Sequence, residues 1–287
     1  MIWLNGAFTD QTRGVDAADR GFLLGDGVFE TVLLCDGVPA FLSAHIARLQ
    51  RTLTALKMRA DIDESVGSLM RDLAVRNSLA AGPAALRLTV TRGVGPRGLL
   101  FPDGADDRPT VLMTVRPFAP PPSDRPARLA VSAYARSEAS LAARFKTTNY
   151  LDNVMARNEA AAQGCDEAVM LNGKGRIACA SAANIFILSD EGVLETPAET
   201  EGALPGIVRG LLLRRGGEVA KAVRERPLAP AALSRGGVVL TNSLIGIRAA
   251  RLAGAAGDQS GGAVLTRLQS WYQDMVHDDL RKRASAF

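Results

Sequence analysis

The chain reads as an α/β protein built in two domains, and three observations lead there. Apolar alternation typical of strands is interrupted by stretches with helical spacing. The 287 residues exceed the roughly 100–200 that one domain usually holds. Near the middle lies Pro117-Phe-Ala-Pro-Pro-Pro-Ser-Asp-Arg-Pro126, whose prolines exclude helix and central strand and favour an extended connector. The expected division is a small N-terminal domain over 1–116, a linker over 117–126 and a larger C-terminal domain over 127–287.

In order, Ile2-Trp-Leu predicts a short strand closed by a turn at Asn5-Gly6, and residues 28–34 (VFETVLL) predict a second strand ending at Asp36-Gly37. From Ser43 the period becomes helical, with Ile46, Leu49, Leu53 and Leu56 on one face and arginines on the others. Residues 86–91 and 110–115 return to strand character. Beyond the linker, 129–132, 167–171, 185–188 and 238–240 predict strands, and 151–163, 206–221 and 265–283 predict helices. There is no internal repeat.

Composition narrows the function. Hydrophobic residues make up 47% and charged residues 22%, ordinary for a folded globular chain. The net charge of +4 is dispersed. Its one dense run, Arg281-Lys-Arg283, follows Asp278 and Asp279 and reads as a solvated helix end. The few aromatics are not interleaved with basic residues, so nucleic acid is set aside. Cys35, Cys165 and Cys179 form no CxxC and no even framework, which predicts neither disulfides nor a zinc site and suggests a reducing, cytoplasmic setting. No stretch has the apolar length of a membrane span, and the N-terminus lacks signal-peptide character.

Several segments carry possible chemistry. Lys146 stands in Arg144-Phe-Lys-Thr-Thr-Asn-Tyr150. An amine must be neutral to attack a carbonyl, so a catalytic lysine needs desolvation or a nearby cation, and Phe145 and Arg144 offer both. The alternative is a lysine snorkelling from a half-buried strand. Gly93-Val-Gly-Pro-Arg-Gly98 matches a dinucleotide fingerprint, but Leu99-Leu-Phe-Pro102 prolongs the loop where a helix should open. That loop instead presents Arg97, able to grip a carboxylate or merely to solvate the loop. Leu204-Pro-Gly-Ile-Val-Arg209 places a turn before a helix start, either an anion site or an ordinary turn. Thr241-Asn-Ser-Leu-Ile-Gly246 is open to the same two readings. Arg48 adds a cation on the first amphipathic helix, with His45 three residues before it in a packing role.

Taken in order, these segments resemble the fold-type IV family of pyridoxal-phosphate enzymes, the class IV aminotransferases. That family includes branched-chain and D-amino-acid aminotransferases and 4-amino-4-deoxychorismate lyases. The resemblance runs through Asn5-Gly6, Asp19-Arg-Gly21, Gly25-Asp-Gly-Val-Phe-Glu-Thr31, His45-Ile-Ala-Arg-Leu49, Lys146-Thr-Thr-Asn-Tyr-Leu-Asp-Asn153, Ala183-Asn-Ile-Phe186, Thr196-Pro197, Leu204-Pro-Gly-Ile-Val-Arg209 and Thr241-Asn-Ser-Leu244. It implies an α/β fold with a two-layer N-terminal domain and a C-terminal pseudo-barrel. By the same resemblance Lys146 forms the Schiff base with pyridoxal 5'-phosphate and moves the proton at the substrate's Cα. Arg48, Ile207, Val208, Asn242 and Ser243 would hold the phosphate, Tyr150 would lie near the ring oxygen, and Phe29, Thr31, Arg97 and Leu244 would meet the substrate. A homodimer completing its site with the neighbouring subunit is also implied, with an amino donor and a 2-keto acid as small-molecule partners.

One departure stands out. Where many family members carry a glutamate that keeps the pyridine nitrogen protonated, this chain has Cys179, in Ile177-Ala-Cys-Ala-Ser-Ala-Ala-Asn184. A neutral thiol cannot stabilise a pyridinium as a carboxylate does, which also raises the alternative of a non-catalytic binding protein. The Asn242-Ser-Leu turn and the Arg97-Gly98 loop lean toward the lyases, while Cys179 and Leu99 depart from many of them. The expected activity is amino transfer, with pyruvate elimination from aminodeoxychorismate as the alternative; both start from the same lysine.

Overall fold

The strand Gly27–Cys35, β3 with Ile2–Leu4 (β1) and Ala7–Thr9 (β2) before it, shows how sequence becomes architecture. Side chains alternate between the faces of a strand. Val28, Val32 and Leu34 therefore enter one core together with Ile46, Leu49 and Leu53 of α2 (Leu42–Ala55) and Met70 and Leu73 of α3 (Val66–Arg76). Glu30 has the same parity and is carried inward with them; it is 1% exposed. Leu56, expected on the buried face of α2, falls at its C-cap and is half-buried.

The computed structural model describes residues 1–10, 14–102, 108–122, 125–255 and 262–284. The chain divides into two units, one made of Met1–Ala119, Lys146–Asn149 and Val276–Phe287, the other of Pro120–Phe145 and Tyr150–Met275. The first unit is built on a six-stranded antiparallel sheet in the order β2-β1-β6-β5-β3-β4, where β4 is Val38–Pro39, β5 Pro83–Thr91 and β6 Thr110–Pro117. Asn5 and Gly6 both have positive φ, 46° and 93°, which suits the tight turn joining β1 to β2.

Lys146–Asn149 belongs to this unit because it adds to the edge of β3. Thr147 bridges Val28 in antiparallel register, the Phe29 N–H donates to the Lys146 carbonyl at 2.9 Å, and the Thr148 N–H donates to the Gly27 carbonyl at 2.8 Å. The linker expected over 117–126 begins as strand, since β6 runs through Pro117; residues 123–124 lie outside the described residues.

The second unit has an eight-stranded mixed sheet in the order β12-β11-β10-β13-β14-β7-β8-β9. Its strands are β7 (Ala127–Val131), β8 (Glu167–Leu171), β9 (Ile177–Ala180), β10 (Asn184–Leu188), β11 (Val193–Thr196), β12 (Ala222–Glu225), β13 (Gly237–Asn242) and β14 (Gly246–Leu252). After the short α4 (Leu141–Arg144), α5 (Leu151–Ala162) packs Ala156 and Ala160 against Ala130, Ala168 and Met170. The helix expected over 206–221 is shorter. As α6 it covers Ile207–Arg215 and gives way to a 3-10 turn at Gly216–Glu218. A Cβ on Gly216 would lie 2.6 Å from Val223 Cγ2, so the glycine that ends the helix also lets the chain close on β12. The last helix, α7, spans Gly262–Ala284. Among the described residues no helix is long and apolar enough to cross a membrane.

Candidate active site

Lys146 is half-buried, and its Nζ stands 4.2 Å from the centroid of the Phe29 ring. Apolar surface against this amine thus comes from β3 across the strand pairing. The same ring carries the Arg87 guanidinium at 3.6 Å. Phe29 is buried and Thr31 half-buried on the face of β3 opposite to Glu30.

Arg48 is buried in the same unit, and its partner is an acid that the sequence motif contained without announcing. Its Nε donates to Glu30 Oε1 at 2.8 Å and its Nη2 donates to Glu30 Oε2, a side-on bidentate grip. His45, one turn earlier on α2, bonds Glu30 Oε2 through Nδ1 at 2.7 Å. Burial alone would raise the Glu30 carboxyl, but Arg48 and His45 overcome it and hold the group at about 2. Burial pushes His45 below its ordinary value against the pull of Glu30, with Arg48 and Lys146 adding to the push. His45 is therefore neutral near pH 7 and donates its Nδ1 proton to an ionised Glu30. Its role is more than packing.

Arg97 is exposed on the loop between β5 and β6, where no helix opens among the described residues. It lines a cleft of about 1210 Å³ with Val94, Leu99, Phe101 and Arg108. The loop is held from beneath. Arg20 donates from Nη1 to the Gly98 carbonyl at 2.9 Å and from Nε to Asp26 Oδ2 at 3.1 Å, and Asp26 also accepts from Arg92 Nε at 2.8 Å.

The remaining expected residues lie in the second unit. Tyr150 is the N-cap residue of α5. Ile207 and Val208 open α6, whose cap residue Gly206 makes no side-chain hydrogen bond. First-turn N–H groups have no carbonyl partner within their own helix, so this start is a set of anion donors. A Cβ on Gly206 would fall 2.0 Å from Asn184 Oδ1, while Asn184 Nδ2 donates to the Leu204 carbonyl at 2.8 Å. Asn184 pairs in register with Thr241 of β13. Thr241 is fully buried, and its Oγ1 meets no hydrogen-bond partner among the described residues. Asn184 thus joins the helix start to an orphaned hydroxyl. The Asn242 side chain is occupied with its own turn: Oδ1 accepts from the Leu244 and Ile245 N–H groups at 2.9 and 2.8 Å, and Nδ2 donates to the Ala182 carbonyl at 3.0 Å. Its contribution is to shape the turn that carries Ser243 and Leu244, both half-buried.

Cys179 is buried on β9. Burial pushes its thiol up and Glu167 adds to this, against the Arg136 guanidinium, so the sulfur is uncharged near pH 7. Arg136 is itself buried, donating from Nε to the Gly202 carbonyl at 2.9 Å and from Nη2 to the Ala143 carbonyl at 3.0 Å. Residue 179 is therefore within reach of a buried cation, Arg136, and a buried acid, Glu167. Sequence reading gave no role to Glu30 or Arg136; Glu30 was legible as the one acid in a strand otherwise bound for the core.

Comparison with known proteins places the chain in a family. The model of the amino-transferase class IV family matches residues 27–253. An inferred branched-chain-amino-acid aminotransferase of Methanocaldococcus jannaschii is 35% identical over 231 residues, 79% of this chain and 78% of that protein. An aminodeoxychorismate lyase of Bacillus subtilis is 28% identical over 250 residues, 86% of this chain and 84% of that protein. A hypothetical aminotransferase from Mycobacterium tuberculosis, solved in its PLP-bound form, superposes with a TM-score of 0.80 at 21% identity, covering 97% of this chain and 99% of the other. The α/β architecture is that of fold type IV, and with the family model spanning both units, this chain is an enzyme that belongs to the class IV aminotransferases.

Proposed function

We propose that the protein is a pyridoxal 5'-phosphate-dependent aminotransferase in which Lys146 is the catalytic residue. The observation that carries this reading is the setting of Lys146: a half-buried amine over the Phe29 ring, its backbone pinned to β3, in the unit that also holds Arg48. The orphaned Thr241 hydroxyl and the α6 start, which no side chain caps, fit a phosphate monoester.

When bound, the cofactor supplies an aldehyde for an amine and a ring that withdraws electrons. Lys146 Nζ would be the amine that meets the aldehyde carbon, and as a free amine it would take and return the proton at the substrate's Cα. The residues that would hold a phosphate are Arg48 in the first unit and, in the second, the N–H groups of Ile207 and Val208 and the turn at Asn242 and Ser243. Tyr150 would lie by the ring oxygen and Cys179 by the ring nitrogen. Arg97 binds a substrate carboxylate, and Phe29, Thr31 and Leu244 bound the space for its side chain. Substrates are an amino donor and a 2-keto acid. The working form is a cytoplasmic homodimer that does not engage nucleic acid; exposed apolar side chains such as Phe22, Leu99 and Leu100 support burial against a second copy.

The alternative, aminodeoxychorismate lyase, is favoured by the Bacillus subtilis relative, which covers more of the chain than the Methanocaldococcus jannaschii protein. Incubation with aminodeoxychorismate, and separately with a panel of amino donors plus pyruvate or 2-oxoglutarate, tests the assignment. A new keto acid and no 4-aminobenzoate is the expected result; 4-aminobenzoate alone overturns amino transfer in favour of the lyase.

A further inference from the structure

We infer that Glu30 and His45 are positioning residues that set the Arg48 guanidinium for a phosphate monoester. The inference rests on the reading of Arg48 as a phosphate ligand and adds to it how that arginine is aimed. Glu30 projects from β3, while His45 and Arg48 lie one turn apart on α2, so three side chains from two elements meet inside one core. All three are at least nine-tenths buried.

A buried arginine without an acid is costly, but charge balance alone does not require this arrangement. Glu30 takes the Nε and Nη2 edge of the guanidinium through both carboxylate oxygens, which fixes the guanidinium plane. Because the group is planar, holding that edge sets the orientation of the whole guanidinium. His45 then restrains the carboxylate, because its Nδ1 bonds the same Oε2 that accepts from Arg48 Nη2. The groups that act on His45 are Glu30 on β3, Arg48 on α2 and Lys146 on the added edge segment. Its Nε2 meets no hydrogen-bond partner among the described residues and is shut away from solvent. The ring therefore has one polar task, a single donated hydrogen bond to Glu30, and requires no charge to perform it.

That division of labour separates positioning from bulk packing. Asparagine places an amide donor close to where the histidine Nδ1 lies, whereas leucine fills space without a donor. The test uses the full-length protein. The dissociation constants of pyridoxal 5'-phosphate and of inorganic phosphate are measured for wild type, Arg48→Gln, Glu30→Asp, His45→Asn and His45→Leu, together with the ³¹P chemical shift of the bound phosphate and thermal melting. Expected are weaker binding of both probes by on the order of tenfold in His45→Leu and Glu30→Asp, a larger loss in Arg48→Gln, and near wild-type binding and ³¹P shift in His45→Asn. If Arg48→Gln weakens binding but His45→Leu and Glu30→Asp do not, or if His45→Asn is as weak as His45→Leu, the positioning role is overturned while Arg48 stands as the ligand. Unchanged binding in Arg48→Gln overturns the phosphate reading itself, and this inference with it. Should His45→Leu not fold, Glu30→Asp against His45→Asn makes the same distinction.

Discussion

Lys146 owes its surroundings to a strand pairing across the chain more than to its sequence neighbours. Phe145 and Arg144 suggested an apolar and cationic setting, yet the ring that meets the amine is Phe29, brought there by the bridge between Val28 and Thr147. At Cys179 the sequence reading and the structure agree on an uncharged thiol, and the structure adds a buried Arg136 that acts on it. Replacing it, Cys179→Glu, installs a carboxylate there. The expected outcome is a shift in the visible band of the bound cofactor and a change in turnover on the order of tenfold; an unaltered spectrum and rate contradict the assignment of residue 179 to the ring nitrogen. Acid stability is a second residue-scale consequence. The Glu30 carboxyl sits at about 2 in the folded chain, below its ordinary value, so its stabilisation is complete above roughly 4.3 and is lost as pH falls toward 2. Asp166, held down to about 2 chiefly by its hydrogen bonds with Arg125, follows the same course. His45 is also held below its ordinary value, so the unfolded chain takes up that proton first and stability declines from roughly 6.5 downward. Melting temperature followed from pH 8 to 3 should therefore fall in two stages. His45→Asn should lack the first; a wild-type profile in that variant contradicts the neutral, buried histidine.

Among the elements, the start of α6 is held with the least slack. Gly206 has no room for a side chain because Asn184 Oδ1 stands where the Cβ would go, and Asn184 also holds the Leu204 carbonyl that precedes the helix. The substitution Gly206→Ala must displace the Asn184 side-chain amide that holds the Leu204 carbonyl. We expect a loss of about 1–3 kcal/mol in stability and weaker cofactor binding, read by melting and by titration. Wild-type values in both would mean that the helix start tolerates displacement and does not hold the phosphate. The helix beyond this point shows where periodicity misleads. Apolar spacing suggested continuation to 221, but Gly216-Gly217 breaks the helix after Arg215, and the tight approach of Gly216 to Val223 rewards the break.

At the scale of the whole molecule, elements with an unbroken apolar run or helical spacing were legible: β3, β8 and α5 lie within a residue or two of their sequence-based bounds. The assembly of Glu30, His45 and Arg48 was not, because it depends on the angle at which α2 crosses β3, which no local pattern encodes. Nor was the placement of Lys146–Asn149 with the first unit, since it follows from edge pairing to a strand more than a hundred residues earlier. Both surprises bear on the same two groups, the Lys146 amine and the Arg48 guanidinium. The central claim is that this amine becomes covalently joined to the cofactor. Borohydride reduction of the protein loaded with pyridoxal 5'-phosphate, followed by proteolysis and mass spectrometry, tests it most directly. A phosphopyridoxyl mass on Lys146 alone is the result predicted here; no adduct, or an adduct on another lysine, would contradict it.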